Sequence, residues 1–273
     1  MAQPDFAQAT FSRANFAEMY ERWLVGPLFR PWVADLLDRA RLAAGDRVLD
    51  VACGTGIVAR VAKERLGADA AVVGVDPSEQ MLAMARSIAP NIEWRQGSAQ
   101  ALPVAGGEQF DVVTCQQGLQ FFPDRAAAVR EMRRVMAPAG RLAAATWRSL
   151  DEIPFILALH RVAERHLGPI ADRRHACGDA GLLRDLLAGA GLRDVEVATI
   201  ARTVRFDDAS VFLRMNAMAL VGMSPRSEGL GEEERGRLAA TIAEESGPEI
   251  AAFANGPGVA FEMRTNVAVG RAD

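Results

Sequence analysis

Two glycines and an acidic residue mark the part of the chain best suited to holding a small ligand. Residues 48–51, which are apolar except for Asp50, are typical of a buried strand, and Gly54 and Gly56 follow them in a tight turn that leads into a helical pattern. Asp76 ends the next apolar run. A glycine turn lets backbone approach a ligand closely, and an acid at the end of the next strand accepts hydrogen bonds from ribose hydroxyls. The spacing predicts a nucleoside-binding βαβ unit.

The turn differs from one built for a dinucleotide. Dinucleotide folds favour G-x-G-x-x-G, whose helix N-terminus faces a pyrophosphate. Here Ala59 stands three residues past Gly56, and Asp50 precedes the turn. A carboxylate at that place repels pyrophosphate but can receive an ammonium group. These residues indicate a ligand with a ribose, an amino-acid tail and no phosphate.

Five segments, in register over roughly residues 15–150, share one pattern. They are residues 50–56, 76–82, 96–103, 110–116 and 130–143. Together they resemble the class I S-adenosylmethionine-dependent methyltransferases, and most of all the small-molecule branch that includes the ubiquinone and menaquinone enzymes. The chain departs from that pattern at Ala52, which replaces the usual first glycine, and at Ser98, which replaces an acid that contacts the adenine amino group.

The resemblance implies S-adenosylmethionine as cofactor and S-adenosylhomocysteine as product. It implies that Asp76 holds the ribose, that Met81, Ser98 and Ala99 surround the adenine, and that Asp50 and Gln116 serve the amino-acid end. The cofactor-binding residues expected in full are Asp50, Ala52, Gly54, Gly56, Asp76, Pro77, Met81, Gly97, Ser98, Ala99 and Gln116.

Three residues are candidates for a catalytic role, namely His160, Tyr20 and Gln117. Methyl transfer from a sulfonium is an in-line displacement that needs alignment and exclusion of water more than it needs a base. His160 shares a helix face with apolar residues, so it either faces the acceptor or is a buried histidine bonded to backbone. Tyr20 either covers the methionine end of the donor or packs against its neighbours. Gln117 follows the fourth strand, where related enzymes contact donor or acceptor.

After residue 45 strand and helix patterns alternate, which predicts an α/β fold with a Rossmann-like, doubly wound, mostly parallel seven-stranded sheet. Strands are expected near 47–52, 71–76, 91–95, 110–116, 140–147, 195–206 and 259–269. We divide the chain into an N-terminal helical cap (1–44), a core (45–206 and 257–273) and a helical lid (207–256) inserted between the last two strands. Methionines in the lid, such as Met215 and Met218, favour an apolar or aromatic acceptor, or simply hold the lid to the body.

The composition of the chain limits the partners, metals and cellular locations that we expect. The 273 residues carry a net charge of −4 and no basic stripe, so no nucleic acid is expected. Cys53, Cys115 and Cys177 lack a paired spacing, which predicts a reducing compartment and no zinc site, and we expect no other metal. Neither a secretory signal nor a membrane span is visible. We expect a cytoplasmic monomer or homodimer whose partner is a small-molecule methyl acceptor.

Two other functions remain open from the residues alone. An NAD(P)-dependent oxidoreductase would also use a βαβ unit, although the missing third glycine and Asp50 count against it. A non-catalytic sensor or partner subunit that binds S-adenosylmethionine would keep the same glycine turn, because binding and turnover share it.

Overall fold

The computed structural model describes residues 15–273, which form two compact units. The sheet unit comprises residues 29–149, 174–201 and 264–273. The helical unit comprises residues 15–28, 150–173 and 202–263. Two of the boundaries between the units fall within long strands, β6 (Arg193–Phe206) and β8 (Gly258–Arg271).

The remaining strands confirm the expected α/β fold. They are β1 (Val48–Val51), β2 (Val72–Asp76), β3 (Glu93–Gln96), β4 (Phe110–Gln116), β5 (Met136–Trp147) and the two-residue β7 (Ala254–Asn255). The strand order is β3-β2-β1-β4-β5-β8-β6, with β7 paired to β8 outside that path. β1 pairs in parallel with both β2 and β4, whereas β8 runs antiparallel to β5. The order therefore reverses between β1 and β4, where ligands of doubly wound sheets bind.

Helices connect these strands in the sheet unit. They are α2 (Val33–Arg39), α3 (Ile57–Leu66), α4 (Glu79–Ile88), α5 (Arg125–Arg134) and α7 (Ala180–Gly189). Asp124 caps α5 by accepting a hydrogen bond from the Ala127 N–H at 2.8 Å, which satisfies a donor that the helix start leaves unpaired. β1 and β2 are buried along their whole length, as expected of parallel strands covered on both faces.

The start of the fifth strand was predicted wrongly. It begins at Met136 and not near residue 140, because Met136 pairs with Phe110 before the pairing resumes between Val112 and Arg141. The intervening bulge takes up Pro138, which has no N–H to donate to a ladder. The strand β5 thus begins before Pro138, and the proline lies in a bulge within it.

Packing of aromatic rings organises the helical unit. Its elements are α1 (Phe16–Met19), α6 (Pro154–Leu167), α8 (Ala209–Met223) and α9 (Glu232–Ser246), with a π-helix (Tyr20–Phe29) that begins in this unit. Phe155 on α6 stacks on Phe261 with ring centroids 3.9 Å apart, and it also contacts Phe212 on α8. Met19 on α1 packs with Val211 and Met215.

The helical unit is larger than the lid expected over residues 207–256. The two helices α8 and α9 do lie between the last long strands, as predicted. However, α6, which the sequence placed with the core, joins them because Phe155 packs against Phe212 and Phe261. That these helices act as a lid stays a prediction.

Candidate cofactor site

Asp76, the last residue of β2, is tied to the glycine turn by its carboxylate. Its Oδ2 accepts from the Gly54 N–H at 2.9 Å, and its Oδ1 accepts from the Ser78 N–H at 2.9 Å. Burial raises the pKa of this carboxyl above its usual value, and the two backbone donors act in the opposite direction. A carboxylate offers about four acceptor positions. Two positions therefore remain after these contacts, as many as the two hydroxyls of a ribose require.

Asp50, on β1, lies behind the turn and is fully buried. Its Oδ1 accepts from the Thr114 hydroxyl at 2.9 Å, and its Oδ2 accepts from the Ala59 N–H at 3.3 Å. Burial raises the pKa of the Asp50 carboxyl to about 7, although both hydrogen bonds favour the ionised form. Whereas the sequence placed Asp50 at the amino-acid end of the ligand, these contacts tie the first turn of α3 to β4.

Strained backbone marks the turn that joins β1 to α3. Ala52 has a φ of 57°, Gly54 one of 56° and Gly56 one of 86°, so all three adopt left-handed conformations. Such a conformation costs a non-glycine residue about 1–2 kcal/mol. Ala52 thus takes the conformation that a glycine would adopt more easily, and strain of this kind clusters at ligand sites.

The exit of β4 contacts this turn. A Cβ atom placed on Gly118 would lie 2.6 Å from the Cβ of Ala52. Gln116 Nε2 donates to the carbonyl of Phe29 at 3.1 Å, whereas its Oε1 is buried and has no hydrogen-bond partner among the described residues. The glutamine is therefore held at one end and has a free acceptor at the other.

A second buried polar atom in the turn lacks a partner. The Thr55 hydroxyl is buried between the two glycines and makes no hydrogen bond within residues 15–273. A buried polar group left unpaired costs about 1–3 kcal/mol. The sequence analysis missed Thr55; the only signal was a hydroxyl residue between Gly54 and Gly56. Together with Gln116 Oε1, it supplies the unsatisfied hydrogen-bonding groups that a polar cofactor would pair.

The residues expected around the adenine follow β2 and β3. Gly97 N–H donates to the carbonyl of Asp76 at 3.1 Å, which joins this segment to the end of β2. Ser98 Oγ accepts from the Gln100 N–H at 3.2 Å, and the neighbouring Ala99 is buried. Met81 opens α4 and is half-buried, while Pro77 is exposed. The structure thus brings the Gly54 turn, Asp76 and Gly97 together in the sheet unit.

The three catalytic candidates lie in different surroundings. Gln117, with a φ of 57°, is buried, donates to Thr265 Oγ1 at 3.0 Å and accepts from Gln120 Nε2 at 3.2 Å. His160 is 6% exposed on α6 of the helical unit, and its Nε2 is buried with no partner among the described residues. Its Nδ1 lies 3.7 Å from Glu164. Tyr20 begins the π-helix and is half-buried, with its ring 6.1 Å from that of Phe16.

The ligands that a metal ion needs are not gathered at any place in residues 15–273. Within that range no group of three or more histidine, cysteine or acidic side chains is placed to hold a metal ion. None of the helices described there combines the length and apolar character needed to cross a membrane.

The chain resembles known proteins over its sheet-forming part. Residues 48–140 match the family model described as a methyltransferase domain. The 2-phytyl-1,4-naphtoquinone methyltransferase of Thermosynechococcus vestitus is 38% identical over 142 residues, which are 50% of this chain and 62% of that protein. The demethylmenaquinone methyltransferase of Shouchella clausii is 31% identical over 188 residues, which are 62% of this chain and 79% of that protein. The chain spans less than two thirds of the length of the first curated relatives it matches.

A solved structure extends the likeness of the fold to nearly the whole chain. The crystal structure of an S-adenosylmethionine-dependent methyltransferase from Thermotoga maritima, described as a possible histamine N-methyltransferase, covers 95% of this chain and 98% of its own. The TM-score is 0.56 at 18% identity. None of these three proteins is an oxidoreductase. With a glycine turn bonded to Asp76 as described above, and with a relative that is 31% identical and matched over 79% of its length, the chain belongs to the class I S-adenosylmethionine-dependent methyltransferases.

Proposed function

We propose that this chain transfers the methyl group of S-adenosylmethionine to a small apolar acceptor of the quinone type. The observation that carries the donor half is the bond between Asp76 and the Gly54 N–H, which holds acid and turn together at the switch point of the sheet. The acceptor class is supported by the relatives, which are methyltransferases of naphthoquinone, ubiquinone and menaquinone biosynthesis.

Different residues around the turn bind different parts of the donor in this proposal. Asp76 accepts from the ribose hydroxyls through its two remaining positions. The segment from Gly97 to Ala99, with Pro77 and Met81, borders the adenine. Thr55 and Gln116 face the amino-acid end, because both have a buried polar atom without a partner. Ala52, Gly54 and Gly56 give the backbone its close approach, and Asp50 holds the turn from behind.

Bound S-adenosylmethionine supplies a methyl group already activated by the positive sulfonium. The chain then has to orient the acceptor in line with the methyl group and exclude water. An acceptor hydroxyl or ring carbon also has to lose a proton, and a positioned base adds about 10²- to 10⁴-fold to the rate of such a step. We propose His160 Nε2 for that role, with Tyr20 and Gln117 as further candidates for placing the substrates.

The activity is tested with labelled donor and a panel of acceptors. Naphthoquinols, prenylated hydroquinones and catechols are compared with simple amines, and the products are identified by mass spectrometry. We expect methylated quinols and no methylated amine. A chain that binds S-adenosylhomocysteine but methylates nothing in the panel would support the non-catalytic alternative. Binding of a nicotinamide dinucleotide in its place would support the oxidoreductase.

His160 has a matched control on its own helix. We expect His160→Gln to lower kcat by about a hundredfold while leaving the affinity for S-adenosylhomocysteine unchanged. His166, also on α6, contacts Glu245 at 2.9 Å on the exposed side, so His166→Gln should leave both quantities unchanged. Equal kcat values for the two variants would remove His160 from the proposal.

The proposal extends to the setting of the enzyme. The three cysteines are buried and free, which supports a reducing, cytoplasmic location. We propose that the chain acts as a monomer or homodimer, and sedimentation of the purified protein distinguishes the two.

A further inference from the structure

The underside of the glycine turn is filled by one aromatic side chain, Trp94 on β3. A Cβ atom placed on Gly56 would lie 2.2 Å from the six-membered ring of this indole. A Cβ atom placed on Gly74, in β2, would lie 2.3 Å from the same ring. Both distances are far below van der Waals contact, so the indole occupies the volume that side chains at these two positions would need.

The indole is fixed from its other side. Trp94 Nε1–H donates to the carbonyl of Ala89 at 3.0 Å, just after the end of α4, and the side chain is buried. Gly74 and Trp94 are also direct partners in the parallel ladder of β2 and β3. The ring is therefore held by the hydrogen bond of its Nε1–H and by close contact with Gly56 and Gly74, which leave it little room to move.

The same strand carries the ribose-binding acid. Gly74 and Asp76 are two residues apart on β2, so their side-chain positions share one face of the sheet. Asp76 accepts from the Gly54 N–H, while the indole occupies the space beside Gly56 and Gly74. The position of the turn relative to β2 is thus limited by this hydrogen bond and by the contact of the turn with the indole.

We propose that Trp94 is a positioning residue for the donor, which sets the height of the glycine turn relative to Asp76 and so determines the affinity for the adenosyl group. This role rests on the proposed function, since it presupposes that the turn and Asp76 bind S-adenosylmethionine. It also explains why β2 has a glycine at position 74, a residue to which the sequence analysis gave no role.

A size exchange between positions 74 and 94 tests this role. Position 74 is preferred to position 56 for this test. Gly56 has a left-handed φ, so alanine there would strain the backbone whatever residue stands at position 94. Gly74 does not have a left-handed φ, so alanine there is opposed only by contacts with neighbouring side chains. We expect Gly74→Ala and Trp94→Leu each to raise the Kd for S-adenosylhomocysteine by about tenfold. Either change shifts the turn relative to Asp76, so the hydrogen bonds from the ligand to the Asp76 carboxylate are misplaced. The double variant should recover to within about threefold of wild type, because leucine makes room for the added methyl group.

A conservative variant and a control separate positioning from loss of core packing. Trp94→Phe keeps a ring beneath the turn and should raise the Kd by only about threefold. Phe110→Leu removes a similar amount of buried aromatic surface at the opposite end of β4, and it should lower Tm without changing the Kd. All affinities are measured by calorimetry at a temperature where every variant is folded.

The outcomes are distinct from those that bear on the proposed function. If wild type fails to bind S-adenosylhomocysteine, the proposed function is contradicted. If wild type binds it and folded Trp94→Leu binds it equally well, the role of Trp94 is overturned. If Gly74→Ala alone does not fold, recovery of folding and binding in the Trp94→Leu background supports the role, and failure to recover overturns it.

Discussion

The two units of this molecule reach their structures by different means. In the sheet unit, the candidate donor site depends on backbone: left-handed residues in the turn, N–H groups that Asp76 accepts, and glycines that leave room for Trp94. In the helical unit, order comes from side chains, chiefly the rings of Phe155, Phe212 and Phe261. Backbone geometry tolerates few residue types, whereas apolar packing tolerates many. We therefore expect donor binding to depend on the sheet unit, which contains every residue proposed to bind the donor.

The largest effect expected on stability lies in the helical unit. Phe155→Ala removes the ring that stacks on Phe261 and should lower the free energy of unfolding by about 3–5 kcal/mol. The Kd for S-adenosylhomocysteine should stay unchanged at temperatures where the variant is folded. Phe121, which is 44% exposed in the sheet unit, is the control, and Phe121→Ala should cost less than about 0.5 kcal/mol. A tenfold loss of donor affinity in Phe155→Ala would refute the expectation that donor binding depends on the sheet unit.

A pH dependence of stability should arise from Asp50 in the sheet unit. Burial raises the pKa of Asp50 from its usual value of 3.8 to about 7, so the folded chain holds the proton more tightly. Its contribution to stability is full below about pH 4 and disappears as pH rises to about 7. Asp50→Asn keeps both contacts, because its amide can donate to Thr114 and accept from Ala59. Relative to this variant, wild type should lose up to about 4 kcal/mol between pH 4 and pH 7, measured by urea unfolding.

The partner hydroxyl sharpens this prediction. The bond from Thr114 favours the ionised form of Asp50, so Thr114→Val should move the loss of stability to higher pH. Parallel curves for wild type and Asp50→Asn across this range would contradict the assignment of a raised pKa to Asp50.

Donor affinity should depend on one carboxylate at the carboxyl end of β2. Asp76→Ala should raise the Kd for S-adenosylhomocysteine by tenfold or more, since a hydrogen bond to a charged group contributes about 1.5–3 kcal/mol. Asp111 accepts from the Arg47 N–H at 2.8 Å at the other end of the sheet, and Asp111→Ala is the matched control with an unchanged Kd. Calorimetry that finds equal affinities for the two variants would exclude Asp76 as a ligand.

The smallest changes in stability are expected at two equivalent helix caps, one in each unit. Asp124 accepts from Ala127 N–H in the sheet unit, and Asp208 accepts from Ser210 N–H at the start of α8 in the helical unit. Replacing either aspartate by alanine should cost about 0.5–2 kcal/mol and leave donor affinity unchanged, whereas asparagine should restore most of the loss. A change of donor affinity in either variant would show that the caps do more than end a helix.

Much of this structure is predictable because its signals are local. The segment expected to be helical over residues 207–256 contains α8 and α9, whose apolar periodicity and end signals lie within the segment itself. The start of β5 was not predictable in the same way, since the pairing of Met136 with Phe110 joins segments far apart in sequence. A proline followed by a glycine suggests a stop, but a bulge in a paired strand absorbs it.

By itself the sequence determined the glycine turn, Asp76 and the order of strands and helices, because each depends on residue type and spacing within a few tens of positions. Only the tertiary structure showed that Asp50 is buried between Thr114 and Ala59 and that Thr55 and Gln116 have unpaired atoms. It alone placed the ring of Trp94 beneath Gly56 and Gly74. Burial, pairing and close approach are properties of segments brought together by folding, and no spacing along the chain encodes them.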